Sequence, residues 1–139
     1  MRRYIGSKIL TDQELGYPTG IIGEIIFKKW FNHVYESSQL FKSNEDRDKE
    51  GIDFNCDYGY TYQVKATKHK TYTFNSQIDC IRAHLRSDLY VFIRIVGKVA
   101  YIENIYQREY VLDNIKESRK FNNCFIWAKD LKTEINYIG

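Results

Sequence analysis

At 139 residues the chain is about one domain long, and its 43% hydrophobic and 16% aromatic content excludes disorder as a whole-chain state. No apolar run approaches the roughly 18 residues that a bilayer-crossing helix needs, so membrane spanning is set aside. The formal charge of +3, from 21 Lys and Arg against 18 Asp and Glu, permits a nucleic-acid partner without requiring one.

Residues 1 to 17 have no clear period and read as an arm. Pro18-Thr19-Gly20 opens a helix to about Tyr35, filled by Ile21, Ile22, Ile25, Ile26, Phe27, Trp30, Phe31 and Val34. These positions spread around the helix, which predicts burial on several sides. A short strand is expected around Gln39 to Phe41, and a charged loop from Ser43 to Glu50. Gly51 to Cys56 and Tyr60 to Thr67 read as a hairpin about Asp57-Tyr58-Gly59, with Gly in the last loop position, where a bulged type I turn needs a left-handed backbone. Thr71 to Phe74 is extended, Ser76 to Arg86 a helix, and Leu89 to Val96 and Lys98 to Glu103 are strands. Tyr106 to about Arg119 reads as a helix, and Cys124 to Trp127 as a short strand. A buried helix beside a mixed sheet predicts an α/β layer architecture in one domain over 1–139, with a core at about 18–96 and accessory elements from 97 to 139.

Cys56, Cys80 and Cys124 have no metal-ligand spacing and read as reduced core thiols. With no apolar run of a secretory signal in Met1 to Gly6, this predicts a cytoplasmic location. His33, His69 and His84 share no spacing, so neither zinc nor a His-based triad is supported. No Gly-rich phosphate loop with a following Lys appears, which argues against ATP hydrolysis.

The hairpin carries the chemistry. A turn centred on Tyr58 sets Cys56 opposite Tyr60, Phe54 opposite Tyr62 and Asp53 opposite Gln63, with opposed Cβ atoms about 5 Å apart. The two-residue period then collects Asp53, Gln63 and Lys65 on one face, and Phe54, Tyr62, Val64 and Ala66 on the other. A one-residue slip would undo this. The Asp53 carboxylate, the Gln63 amide oxygen and the Val64 carbonyl are hard oxygen ligands suited to Mg²⁺. Lys65 beside such an ion would hold a water and steady phosphate charge. The plainer alternative is a cross-strand Asp53–Lys65 ion pair. Glu24, inside the apolar helix, needs a partner: a metal on the sheet, or Lys28 one turn on.

Gly20-x-x-Gly23-Glu24, Gly51-Ile52-Asp53-Phe54 and Tyr62-Gln63-Val64-Lys65-Ala66-Thr67 together resemble the PD-(D/E)xK nuclease superfamily. The closest likeness is to its Mrr-like branch with a Q-x-K variant, over about residues 18 to 96. The resemblance implies a restriction-endonuclease-like α/β core, a mixed sheet with flanking helices, and DNA cleavage with Mg²⁺ or Mn²⁺. It implies Asp53 as the central metal ligand, Lys65 as the catalytic lysine and Glu24 as the acidic residue of the first helix. Gln63 stands where most members carry glutamate, and Ile52 rather than proline precedes Asp53.

Lys68, His69 and Lys70 follow the motif, Arg82, His84 and Arg86 lie on the next expected helix, and Lys42 and Arg47 precede it. Lys68, His69, Lys70, Arg82 and Arg86 are the candidate phosphate contacts. The leading expectation is a metal-dependent DNA endonuclease, restriction-like or resolvase-like; the resolvase form would require a homodimer for symmetric cutting. The alternatives are an inactive nucleic-acid-binding module of the same fold, because Gln63 removes a charge, and a regulatory protein that binds another protein.

Overall fold

Alternation along the strands divides the apolar residues between two cores, one on each face of a central sheet. The computed structural model describes residues 4–44, 51–74 and 85–131. In chain order the strands are β1 (Gly6–Ile9), β2 (Leu40–Lys42), β3 (Phe54–Cys56), β4 (Thr61–Thr67), β5 (Thr71–Phe74), β6 (Leu89–Val96), β7 (Val99–Gln107), β8 (Lys116–Ser118) and β9 (Asn123–Trp127). The helices are α1 (Asp12–Leu15), α2 (Thr19–Val34) and α3 (Arg108–Asn114), with a 3-10 turn at Ala128–Asp130.

The central sheet has six strands in the order β1-β7-β6-β4-β3-β2, and β5-β9-β8 form a second sheet of three. The protein is thus a mixed α/β fold. β4 and β6 are parallel, and the other neighbours are antiparallel. On β6, Leu89, Val91, Ile93 and Ile95 face α2, while Tyr90 and Phe92 face the second sheet. Each set is apolar, as a strand covered on both sides demands. Among the described residues no helix is long and apolar enough to cross a membrane.

On α2, Ile22, Gly23, Ile26, Phe27 and Phe31 form one buried stripe. Ile21 and Val34 are about half exposed, at 46% and 48%, so the expected burial on several sides is corrected to one broad face. Phe27 is the centre of that face, with ring centroids 5.1 Å from Tyr62 and 5.7 Å from Phe54. Gly23 is where the helix comes closest to the sheet. A Cβ there would lie 2.7 Å from the Ala66 Cβ and 3.2 Å from the Val64 Cγ1. The Ala66 Cβ is fixed to a strand backbone and cannot swing away. Gly23→Ala is therefore expected to cost about 1–2 kcal/mol, the overpacking penalty less the helix-propensity gain. Urea unfolding at pH 7 checks this, and a neutral or stabilising result would contradict the close approach.

Several expected elements differ. The supposed arm contains β1, paired with β7, and α1. Thr11 and Glu14 form a capping box, a local signal that a search for apolar period passes over. The strand expected at 39–41 lies at Leu40–Lys42, and the first hairpin strand begins at Phe54. The helix expected from Tyr106 begins at Arg108, is about two turns shorter than expected, and is followed by β8. The cause is a bulge: Phe92 pairs with Asn104 and Ile93 with Ile102, so Glu103 is an extra residue. The bulge resets alternation in mid-strand and hides the continuity of β7. β7 lies inside the central sheet, so that sheet extends past residue 96. The helix expected at Ser76–Arg86 lies outside the described residues except for Leu85 and Arg86, which are not helical.

Candidate functional site

The turn that sets the register is built as its residues require. Gly59 has φ +89°, its N–H donates to the Cys56 carbonyl at 3.0 Å, and Cys56 N–H donates to the Tyr60 carbonyl at 3.0 Å. Phe54 then pairs with Tyr62 and Asn55 with Thr61. The ladder stops there: Asp53 lies just before β3, and its N–H donates to the Tyr62 carbonyl at 2.8 Å, so Asp53 and Phe54 both stand against Tyr62 and the expected Asp53–Gln63 pairing is corrected to this irregular step.

The faces follow. Phe54, Tyr62 and Val64 belong to the core under α2, and Ala66 packs against it. Gln63 and Lys65 therefore share the opposite face of β4, toward the second sheet, and the Asp53 carboxylate is near enough to act on the Lys65 charge. All three are half-buried. Asp53 Oδ2 accepts the Val64 N–H at 2.7 Å, which ties the carboxylate to the strand carrying Gln63 and Lys65. Lys65 Nζ stands 4.6 Å from the centroid of the Phe74 ring, a residue of the second core. Burial pulls the Lys65 ammonium below the usual lysine range, and the Asp53 carboxylate opposes that shift.

Three neighbours were not legible beforehand. Gly51 has φ +86°, and a Cβ there would sit 3.5 Å from the Gln63 Nε2, so the loop backbone passes directly over the amide. Ser87, fully buried, donates from Oγ to the Gly51 carbonyl at 2.7 Å and anchors that loop. Tyr90 pairs with Gln63 across the parallel β4–β6 ladder and is fully buried. Burial pushes its hydroxyl up to about 12, so it stays protonated as a potential donor. Tyr90 was hidden because it reads as one more apolar member of Leu89 to Val96.

Glu24 is placed differently from the expectation. Its carboxylate is ion-paired with Lys42 of β2. Lys42 Nζ lies 5.2 Å from the centroid of the Phe54 ring, on the helix side of the sheet. Glu24 is thus on the face opposite Lys65, and the lysine paired with it is Lys42 and not Lys28. The reason is distance in sequence: the β2 edge strand, folded against α2, brings a cation that no helical spacing reveals. Among the described residues no group of three or more His, Cys, Asp or Glu is arranged to hold a metal ion. The carboxylate of this cluster is Asp53, supplemented by neutral oxygens.

Lys68, His69 and Lys70 are exposed in the β4–β5 turn, about 16 Å along the strand from Gln63 at roughly 3.3 Å per residue. Arg86 is exposed near the opposite end of the sheet, beside Ser87. Arg82, His84 and Arg47 lie outside the described residues. Arg108 is a further cation at that end, its Nη1 donating to the Leu85 carbonyl at 3.1 Å. It borders an open cleft of about 370 Å³ shared with Gly59, Tyr60, Asp88, Leu89, Gln107 and Glu109. Cys56 and Cys124 are buried cysteines, and Cys80 lies outside the described residues. Comparison with protein-family models and with curated proteins found no match for this chain.

Proposed function

We propose that the protein is a metal-dependent DNA nuclease that hydrolyses phosphodiester bonds on a restriction-endonuclease-like core. The observation that carries this reading is the convergence of Asp53 with Gln63 and Lys65 of β4, in which the Asp53 carboxylate is tied to that strand by the Val64 N–H. The order of α2, the β3–β4 hairpin and the parallel return strand β6 supports it.

The donor set fits a hard divalent cation. Asp53 and Gln63, with the Val64 carbonyl, would hold Mg²⁺ or Mn²⁺. A single carboxylate is enough when substrate phosphates complete the shell, as is usual for Mg²⁺. Such an ion, when bound, supplies Lewis acidity and a more acidic water. The chain's own residues do the rest. Lys65, its proton loosened by burial, orients the attacking water and holds or takes a proton at Nζ. The Phe74 ring, 4.6 Å from Nζ, covers the ammonium on one side. Ser87 holds the Gly51 loop over Gln63.

Gln63→Glu tests the ligand set. It adds a second carboxylate, so the Mg²⁺ concentration for half-maximal binding, measured by calorimetry with DNA present, should fall on the order of tenfold. An unchanged metal dependence would remove Gln63 from the set. One observation favours a second reading, a binding module without cleavage: Lys42 neutralises Glu24 and leaves the cluster, among the described residues, the carboxylate of Asp53. That reading predicts DNA binding with no metal-dependent cutting.

A further inference from the structure

The outer face of the second sheet is left unused by the site described above. On β9, Cys124 and Ile126 are fully buried in the second core, so Phe125 and Trp127 project to the other side. They stand edge to face with ring centroids 5.7 Å apart, and both remain half-exposed. Thr71 and Thr73 of β5 pair with Trp127 and Phe125, and Lys116 of β8 pairs with Phe125 from the other side. Lys129 Nζ lies 5.4 Å from the Trp127 ring centroid. In the β8–β9 turn Phe121 is 68% exposed, with Lys120 Nζ 5.3 Å from its ring centroid.

The net charge of this segment is positive. Residues 116–131 carry four Lys and Arg against two Asp and Glu. One of those acids, Asp130, is bridged to Lys116 at 3.6 Å. The β4–β5 turn adds Lys68 and Lys70 without an acid, and it is joined to the face by the Ala128 N–H donating to the Lys70 carbonyl at 2.8 Å. A row of aromatics on a sheet, flanked by lysines and threonines, matches the chemistry of an unpaired strand: bases present π faces and phosphates present negative charge. Duplex DNA buries its base faces and has no use for such a row.

We infer that the outer face of the β5-β9-β8 sheet binds single-stranded DNA, its bases stacking on Phe125 and Trp127 and its phosphates meeting Lys116, Lys120, Lys129 and Lys70. The choice of DNA rests on the nuclease reading; the stacking face itself does not. The substrate class of the nuclease would then be DNA with a single-stranded segment, such as a flap, fork or branch.

The test is fluorescence anisotropy of the full chain with labelled (dT)12, a 12-base-pair duplex and (rU)12. The chain should bind (dT)12. Phe125→Ala and Trp127→Ala should each weaken that binding about tenfold, leave duplex binding unchanged, and leave the circular dichroism spectrum intact. Trp127→Phe should restore most of the affinity. If either alanine variant unfolds, Lys116→Gln and Lys129→Gln take its place and should flatten the salt dependence of (dT)12 binding. Failure of wild type to bind (dT)12, or alanine variants that bind as wild type, would overturn the inference. Tighter binding to (rU)12 would overturn the assignment to DNA. Self-association lost in the alanine variants, without (dT)12 binding, would make the face a protein interface and overturn it as well. Cleavage by Lys65→Ala is scored separately, so a chain that binds (dT)12 through Trp127 but cuts nothing removes only the nuclease reading.

Discussion

Lys65→Ala is expected to abolish DNA cleavage while leaving DNA affinity nearly unchanged. The lysine is one cation among many for binding, but it is the cation held against the Asp53 face. Its loss removes stabilisation made mainly in the transition state, about 3 kcal/mol, or a hundredfold and more in rate. Lys65→Met separates chemistry from folding, because it keeps the stem over the Phe74 ring. It should cut no better than Lys65→Ala, yet be at least as stable as wild type at pH 7, since no ammonium is then buried. The sign of the pH dependence follows from the lowered pKa. As pH rises from the folded-state pKa toward the ordinary value of 10.5, only the unfolded lysine still binds its proton, so wild type gains stability and the advantage of Lys65→Met shrinks. Single-turnover kinetics and urea unfolding across that range check both statements. Cleavage retained in Lys65→Met would remove the lysine from the mechanism.

Glu14→Gln is expected to be the most destabilising change at a charged residue away from the site. Glu14 is 6% exposed. It accepts from Lys8 at 2.5 Å, from the Thr11 N–H at 2.9 Å and from Lys29 at 3.3 Å. These donors join β1, α1 and α2, and they hold the Glu14 carboxyl at about 2, against an ordinary 4.5. Because the folded pKa is depressed, the stabilisation is present above pH 4.5 and is lost as pH falls toward 2. The shift corresponds to about 3 kcal/mol, reduced to about 2 by the exposure of Lys8 and Lys29. Wild type should therefore lose about 2 kcal/mol more than Glu14→Gln between pH 5 and pH 2. Parallel acid limbs for the two proteins would show that Glu14 carries no such role.

The parts of this account legible in the sequence were local. Asp57-Tyr58-Gly59 determined the hairpin register because only a left-handed residue closes that loop, and Gly59 takes φ +89°. The two-residue period puts Gln63 and Lys65 on one face of β4, whereas Asp53, one residue before β3, reaches that strand through its bond from the Val64 N–H and not through the expected pairing with Gln63. The parts that were not legible depend on pairings distant in sequence. The β5–β9 ladder joins Thr71–Phe74 to residues fifty or more positions later, and neither strand exceeds five residues. The second core therefore escaped notice, and with it the Phe74 ring under Lys65. The partner of Glu24 was hidden for the same reason: Lys42 reaches it across an edge strand eighteen residues on. The Glu103 bulge concealed the second half of β7 by breaking alternation where a strand-to-helix change seemed to begin.

The central claim is that Asp53, Gln63 and Lys65 support metal-dependent phosphodiester hydrolysis. The most direct measurement is cleavage of end-labelled duplex, single-stranded and branched DNA by the full chain with Mg²⁺ or Mn²⁺, beside Asp53→Ala. Wild type should cut at least one substrate, EDTA should inhibit it completely, and Asp53→Ala should lose cutting while retaining DNA binding. No cleavage of any of the three substrates with either ion, or undiminished cleavage by Asp53→Ala, would contradict it.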